Sequence, residues 1–585
     1  MIPEISRRTA CAAVLALTAF SLGLRLASVG FYLPHVSLGD EAVYASFFLR
    51  DPAYPLVDPS MPHYYPQLVP RIALLFWHEA HALVTTEDHI ARATACVLIA
   101  RRVVACISVL IVPATYWIAR RFMGRMAAVL AAALASTSFL DMWFSEQARP
   151  HAAFAAFSAL TLVGALEVRR RGDLRAWLCA GVACALAISV LQSGVLLVCP
   201  LAVAHFCRRP HRDKRAHLLP LAAVAIIAAC VLVFYPSLLE PASAHRGGSP
   251  SWTPYLKWWS THLTGNGIVR SARALWEYET WLSGCAVLGA LALCWNLFAR
   301  PARGSLHDDP SIATQRKSDL AVVAAFVLPQ AILFALYDLT QQRYLLPFVP
   351  IYAACAAGGL AVVCERIAER RRRSAEPLFA AAAAIMFALQ ATCAVALTRV
   401  RAADDTARQA ADWLTSHVER GTTPVLLRTG LELPLLRDER SNDMLAIFAG
   451  HTNNAWLVYQ SHLDPAVRAR LGWPLQPLPL GTDADLALLH DDPDHYIDAL
   501  PAEYVVFALP DARAPSQRVL PALRHRGELV ARFSPWIFPP DEERPFVRNE
   551  WDDQELVSGN WVWNVLRARC LGPVIEIYRL HAHER

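Results

Sequence analysis

Up to about residue 398 the chain alternates long apolar runs with short polar, often basic, segments. A helix needs ~20 apolar residues to cross the hydrocarbon core, and somewhat fewer inside a bundle. Runs at 9–30, 102–119, 124–142, 151–167, 174–190, 191–206, 218–236, 281–299, 319–337, 343–363 and 377–397 therefore predict about eleven transmembrane helices. The fifth and sixth are short and meet at "SVLQSGV", which reads as one broken hairpin. Segment 31–101 is too long for a simple connection, and "EAVYASFFLR" and "YYPQLVPRIALLFWHEAHALV" within it have helical spacing with one apolar side, while 237–280 is a second long outward-facing segment. The two quoted stretches predict helices lying along the membrane interface.

After about residue 400 the texture changes. "DDTARQAADWLTSHVERG" has amphipathic helical spacing, while "TPVLLR", "EYVVFAL", "ELVARF" and "VIEIYRL" read as short strands among frequent prolines. The expected fold is a polytopic α-helical membrane domain over 1–398, followed by a C-terminal soluble α/β domain over 399–585. "HDDPDH", His490 to His495, contains metal-ligand residue types, but Asp492 before a proline is also an ordinary helix-start signal. Its spacing matches no zinc or calcium loop, and the sequence leaves a divalent metal open.

Composition agrees with the pattern. Of 585 residues, 55% are hydrophobic and only 18% charged, whereas soluble chains carry about a quarter charged residues. The net charge of +5 does not argue for a nucleic-acid partner, because the basic residues cluster in loops between spans. Arg7 and Arg8, Arg120 to Arg125, Arg169 to Arg171, Arg208 to Arg215, Arg300 to Lys317 and Arg370 to Arg373 fall in alternate loops, which are cytoplasmic by the positive-inside rule. The N-terminus is then cytoplasmic, its first apolar run an uncleaved span, and the C-terminal domain extracytoplasmic. Most of the 14 cysteines lie in apolar runs, so no disulfide framework is expected.

Ionisable groups are costly within a bilayer, by about 2–3 kcal/mol each at its centre on insertion scales. Several gather at the expected outer ends of spans: Arg25; Asp40 and Glu41 in "GDEAVY"; Glu146, Arg149 and His151 in "FSEQARPH"; Asp338 and Arg343 in "DLTQQRYLLPF". A carboxylate there can take the proton from an acceptor hydroxyl, while guanidinium groups hold phosphate oxygens bidentately and stabilise a leaving phosphate. Each charge can alternatively snorkel to lipid headgroups. Trp252, Tyr255, Trp258, Trp259, Trp276, Tyr278 and Trp281 form either an interfacial aromatic belt or an acceptor platform. No phosphate-binding glycine loop or dinucleotide fingerprint is present.

The order of "LRLASVG", "GDEAVY", "HYYPQL", the long "ARRVV…SEQARPHAAF" stretch, "GVACALAISVLQSGVLLVCPLAV" and "QQRYLLPFVPIYAA" resembles the GT-C superfamily of lipid-dependent glycosyltransferases. In particular it resembles family 39, which includes protein O-mannosyltransferases and bacterial lipid A aminoarabinose transferases. The resemblance runs through about residues 20 to 365. It implies an inverting transferase in a bacterial inner membrane that takes its sugar from a polyprenyl-phosphate donor in the lipid and passes it to an extracytoplasmic hydroxyl acceptor. It places Asp40 on the family's first-loop acid, Glu41 on the acidic neighbour, Glu146 or Gln147 on the second-loop polar pair and Arg149 on its arginine. Arg343 and Tyr344 fall on the late motif suited to donor phosphate, and Arg25 joins them as a candidate phosphate ligand. Relatives commonly carry the acid next to "AR", where Gln147 stands here, an aromatic at His151 and a lysine at Gln192. A transporter and a non-catalytic lipid- or glycan-binding protein are the competing classes; a transporter would show paired broken helices in both halves, and only one broken hairpin is visible.

Overall fold

The computed structural model describes residues 4–35, 41, 66–81, 88–208, 218–235, 261–298, 310–420, 424–428, 431–441, 455–461, 463–478, 483–509, 514–537 and 561–580. Asp40, the "EAVYASFFLR" stretch after Glu41 and Trp252, Tyr255, Trp258 and Trp259 lie outside them.

Each of the eleven apolar runs is helical. By length and hydropathy, six described helices suffice to cross a membrane, and the bent pair Arg125–Ser136 and Phe139–Ser145, kinked by 47°, makes a seventh. The four remaining runs, at Leu174–Ile188, Gln192–Phe206, Leu219–Phe234 and Thr280–Trp295, are shorter apolar helices. The chain is thus a polytopic membrane protein, and among the described residues six or seven helices have the length and hydropathy of a full span.

Local chemistry sets the helix ends. Helix α1 (Arg7–Ser28) starts at Ser6, whose hydroxyl accepts from the Thr9 N–H. Helix α2 (His89–Ser108) starts at Asp88, well before the expected residue 102, and so carries Arg101 inside it. Ser138 re-caps the chain at the 47° kink and starts α3 (Phe139–Ser145). Helix α4 (Pro150–Arg171) begins with Pro150 at its first turn and ends at Gly172, φ 62°. The expected broken hairpin is a helix to Ile188, an extended Leu191, a 3-10 turn Gln192–Leu197 and a second helix from Val198.

Small residues let the helices approach closely, as bilayer packing requires. Helix α5 (Thr280–Phe298) meets α6 (Val349–Arg371) at backbone contact: a Cβ on Gly289 would lie 2.1 Å from the Cys355 carbonyl oxygen, and one on Gly359 2.0 Å from the Gly289 Cα. Gly359→Leu is therefore expected to destabilise the bundle by ~1–3 kcal/mol or more through overpacking. Gly284→Ala, on α5 with open space around the new methyl, should leave the unfolding midpoint unchanged. Equal midpoints for both variants in mild detergent would refute the close crossing.

Helix α7 (Glu376–Ala402) runs past residue 398 and delivers the chain to the C-terminal domain. Asp405 then caps α8 (Thr406–His417), accepting from the Ala407 and Arg408 N–H groups at 2.9 and 3.0 Å. Five strands, β1 (Val425–Arg428), β2 (Leu475–Leu478), β3 (Tyr504–Leu509), β4 (Gly527–Phe533) and β5 (Val574–Leu580), form one sheet in the order β2-β1-β3-β5-β4. The first three are mutually parallel, and β5 runs antiparallel to β3 and β4. Central β3 is buried along its whole length, which explains its unbroken apolar sequence.

The domain docks on the bundle through aromatic rings. Trp561 lies 5.3 Å from Trp143 and 6.2 Å from Tyr278, and Trp563 lies 5.8 Å from Trp281. Tyr278 is fully buried in this cluster, whereas Trp276 is exposed. The expected aromatic segment thus divides, and Tyr278 and Trp281 contribute to packing between domains.

Candidate active site

At the end of the bundle that carries the sheet domain, buried charges tie loops distant in sequence together. Glu41 is fully buried; its two oxygens accept from Arg101 Nε and Nη2, both at 2.8 Å, and Oε1 also accepts from the Ala148 N–H at 2.7 Å. Arg101 Nη1 donates to the Val29 and Phe31 carbonyls at 2.9 and 2.7 Å. A fork-to-fork pair fixes orientation as well as distance. The first loop is thereby fastened at Glu41 to the turn 146–149, one residue from Arg149.

Arg149 is the N-cap of α4, with extended backbone and a buried side chain. His151, in the first turn of the helix, is buried with its ring 5.8 Å from that of Tyr344. Arg149 and Arg343 both lie close enough to act electrostatically on His151. The 3-10 turn Gln342–Phe348 presents Arg343 over the Tyr344 ring at 5.7 Å, and that ring stacks on Phe334 at 5.5 Å. The structure thus brings Arg149, His151, Arg343 and Tyr344 into one cluster. The His151 Nδ1 and the Gln147 Oε1 have no hydrogen-bond partner among the described residues. Gln147 Nε2 donates to the Trp143 carbonyl at 3.0 Å, which turns the amide inward.

The remaining candidates occupy separate positions. Glu146 is fully buried and accepts from Arg401 at 2.8 Å. Burial pushes its carboxyl above the ordinary range, and the Arg401 guanidinium opposes that push. Arg25 is ion-paired with Asp141 and donates to the Ser21 and Ser145 hydroxyls, all buried, so it joins α1 to α3. Gln192 donates to the Tyr235 hydroxyl at 3.3 Å. Asp492 caps the helix Pro493–Asp498 by accepting from the His495 N–H at 3.0 Å, which is the helix-start role its sequence signalled. Among the described residues no group of three or more His, Cys, Asp or Glu side chains is placed to hold a metal ion.

Sequence reasoning missed Arg101, Arg401 and the His35–Asp405 pair, which joins the first loop to the N-cap of α8 at 3.2 Å. A signal for the two arginines was present. Both flank apolar runs on the side that the positive-inside rule leaves poor in basic residues, so each needed an anionic partner or a ligand.

Residues 94–238 match a family model described as dolichyl-phosphate-mannose-protein mannosyltransferase. The match takes in Arg101, the turn 146–149, His151 and Gln192, and meets the resemblance to GT-C glycosyltransferases seen in the ordered short motifs. Among solved structures, the chain is similar to the oligosaccharyltransferase AglB from Archaeoglobus fulgidus in complex with an inhibitory peptide and a dolichol-phosphate, at 13% identity over 92% of this chain and 76% of that chain, TM-score 0.48. It is similar to ArnT from Cupriavidus metallidurans bound to undecaprenyl phosphate, at 13% identity over 96% of this chain and 97% of that chain, TM-score 0.48. It also matches the S. cerevisiae protein O-mannosyltransferase Pmt1-Pmt2 complex bound to the sugar donor, at 15% identity over 47% and 37% of the respective chains, TM-score 0.31. No curated protein matches the chain.

Proposed function

We propose that the chain is a membrane glycosyltransferase that moves a sugar from a polyprenyl-phosphate donor to a hydroxyl of an extracytoplasmic acceptor, with Asp40 as general base. The observation that carries this reading is the cluster of Arg149, His151, Arg343 and Tyr344, assembled from two segments far apart in sequence beside a turn anchored to Glu41. The family match, whose description names a lipid-phosphate sugar, supports the donor class.

In this mechanism Arg149 and Arg343 hold the donor phosphate, with Tyr344 bracing Arg343. The acceptor oxygen forms a bond to the sugar's anomeric carbon as the bond from that carbon to the phosphate oxygen breaks. Asp40 receives the hydroxyl proton, and the electron pair leaves on the phosphate, where the guanidinium groups stabilise it. Direct displacement inverts the anomeric centre. Glu41 is committed to Arg101 and the Ala148 N–H, which leaves the proton transfer to its neighbour. Membrane lipid carries the donor to this site.

The test is transfer from a purified polyprenyl-phosphate sugar by the full chain in lipid nanodiscs. Donor binding without transfer to any acceptor hydroxyl would favour the binding-protein class, and no donor binding at all would end the proposal. The proposed orientation has its own test: a topology reporter fused after residue 400 is expected to be active only outside the cytoplasm, and one near residue 212 only inside. Cytoplasmic signal from both would reverse the placement of the site.

A further inference from the structure

Arg401, to which the transfer mechanism gives no part, closes a circuit of buried contacts. It lies in the last turn of α7, at the point where the bundle hands the chain to the sheet domain. Its guanidinium sits 4.1 Å from the Phe31 ring centroid and 4.4 Å from that of Trp143, donates to Glu146 at 2.8 Å, and reaches the Trp143 carbonyl at 3.2 Å. Phe31 also receives Arg101, at 4.3 Å, and Arg101 holds Glu41, which returns to the Ala148 N–H. Glu146 and Ala148 belong to the same turn, so the circuit passes from that turn through Arg401, Phe31, Arg101 and Glu41 back to its start. A buried cation stacked between two rings and ion-paired is held by several contacts at once. Among the described residues the other cation on Phe31 is Arg101, which anchors the acidic pair's loop.

We propose that Arg401 is a positioning residue: through Phe31 and Glu146 it sets the first loop, which carries Asp40 and Glu41, against the turn that carries Arg149. The catalytic consequence rests on the transferase reading above; the loop placement does not. A planar guanidinium is required, because an ammonium cannot stack between two rings and hold the fork at the same time.

The experiment compares wild type, Arg401→Lys and Arg401→Met as full chains in nanodiscs, with two readouts. Limited trypsin cleavage after Arg50, in the first loop, is expected to speed up several-fold in Arg401→Met relative to cleavage within the sheet domain, with Arg401→Lys intermediate. Transfer is expected to lose about 100-fold in kcat in Arg401→Met, the scale on which small misplacements act, with KM for the donor changed much less. Should wild type show no transfer, the transferase reading fails while the cleavage ratio still decides the loop's placement. Unchanged cleavage at Arg50 in a folded Arg401→Met chain overturns the proposal. So does an equal rise in cleavage throughout the chain, which marks a merely structural loss, or an unchanged kcat in an active wild-type background.

Discussion

Asp40→Asn is expected to lower sugar transfer by about two to four orders of magnitude, the usual loss when a general base is removed, while expression and unfolding midpoint stay near wild type. The reason for separating the two effects lies in the neighbouring carboxylate. Glu41 makes the anchoring contacts, a two-point pair with Arg101 and a bond from the Ala148 N–H, all at 2.7–2.8 Å and fully buried. Glu41→Gln leaves the Arg101 charge buried without its counter-charge, a change that costs about 3–5 kcal/mol in buried pairs. The resemblance makes Glu41 only the acidic neighbour of Asp40, a supporting role whose loss would have a mild effect. The structure makes that role structural as well, so Glu41→Gln should lose stability and activity together, whereas Asp40→Asn loses activity alone. Transfer rates from a purified polyprenyl-phosphate donor, read beside melting temperatures, check both. Full activity in Asp40→Asn would move the base elsewhere, and an unchanged midpoint in Glu41→Gln would contradict the anchoring.

The apolar runs were legible because a bilayer imposes a length and a hydropathy on every crossing helix. They were less informative about which runs cross completely, since a 15-residue helix such as Leu174–Ile188 can be as apolar as a longer one. Four of the five strands followed from β-branched and aromatic patterning. The fifth, β2, was hidden by Pro477 within "LQPL"; it sits at the sheet's edge, where a residue without an N–H is tolerated. Arg149, Arg343 and Tyr344 stood out as candidates because their motifs are ordered along the chain, and the fold brings them together around His151. Arg101 and Arg401 were marked only by their place beside apolar runs, because an ion pair closed over 60 residues, as Glu41 with Arg101, or 255, as Glu146 with Arg401, leaves no local pattern that names the partner. The same limit applies to Arg25: its charge marks a costly site, but only the fold identifies Asp141 as its partner.

Arg343→Ala should weaken binding of a polyprenyl-phosphate analogue by about 10- to 100-fold, since a charge-assisted hydrogen bond contributes roughly 1.5–3 kcal/mol and each 1.4 kcal/mol is tenfold in affinity. Arg149→Ala should do the same. Lysine at either position should restore binding only in part, because a point charge cannot reproduce the planar fork. At Arg343 there is a second reason: the guanidinium lies over the Tyr344 ring, itself stacked on Phe334, and an ammonium loses that stacking surface. Tyr344→Phe keeps the ring and is expected to bind nearly as wild type, while Tyr344→Ala removes the support and should approach the Arg343→Ala loss. Arg25→Ala supplies the contrast. It leaves the Asp141 carboxylate buried without its cation, so its expected effect is a lower melting temperature, with analogue affinity unchanged in the folded fraction. Analogue titration into nanodisc-held protein reads all seven variants. Wild-type affinity in a well-folded Arg343→Ala chain would remove this residue from the donor site, and a selective loss of affinity in Arg25→Ala without loss of stability would bring Arg25 into it.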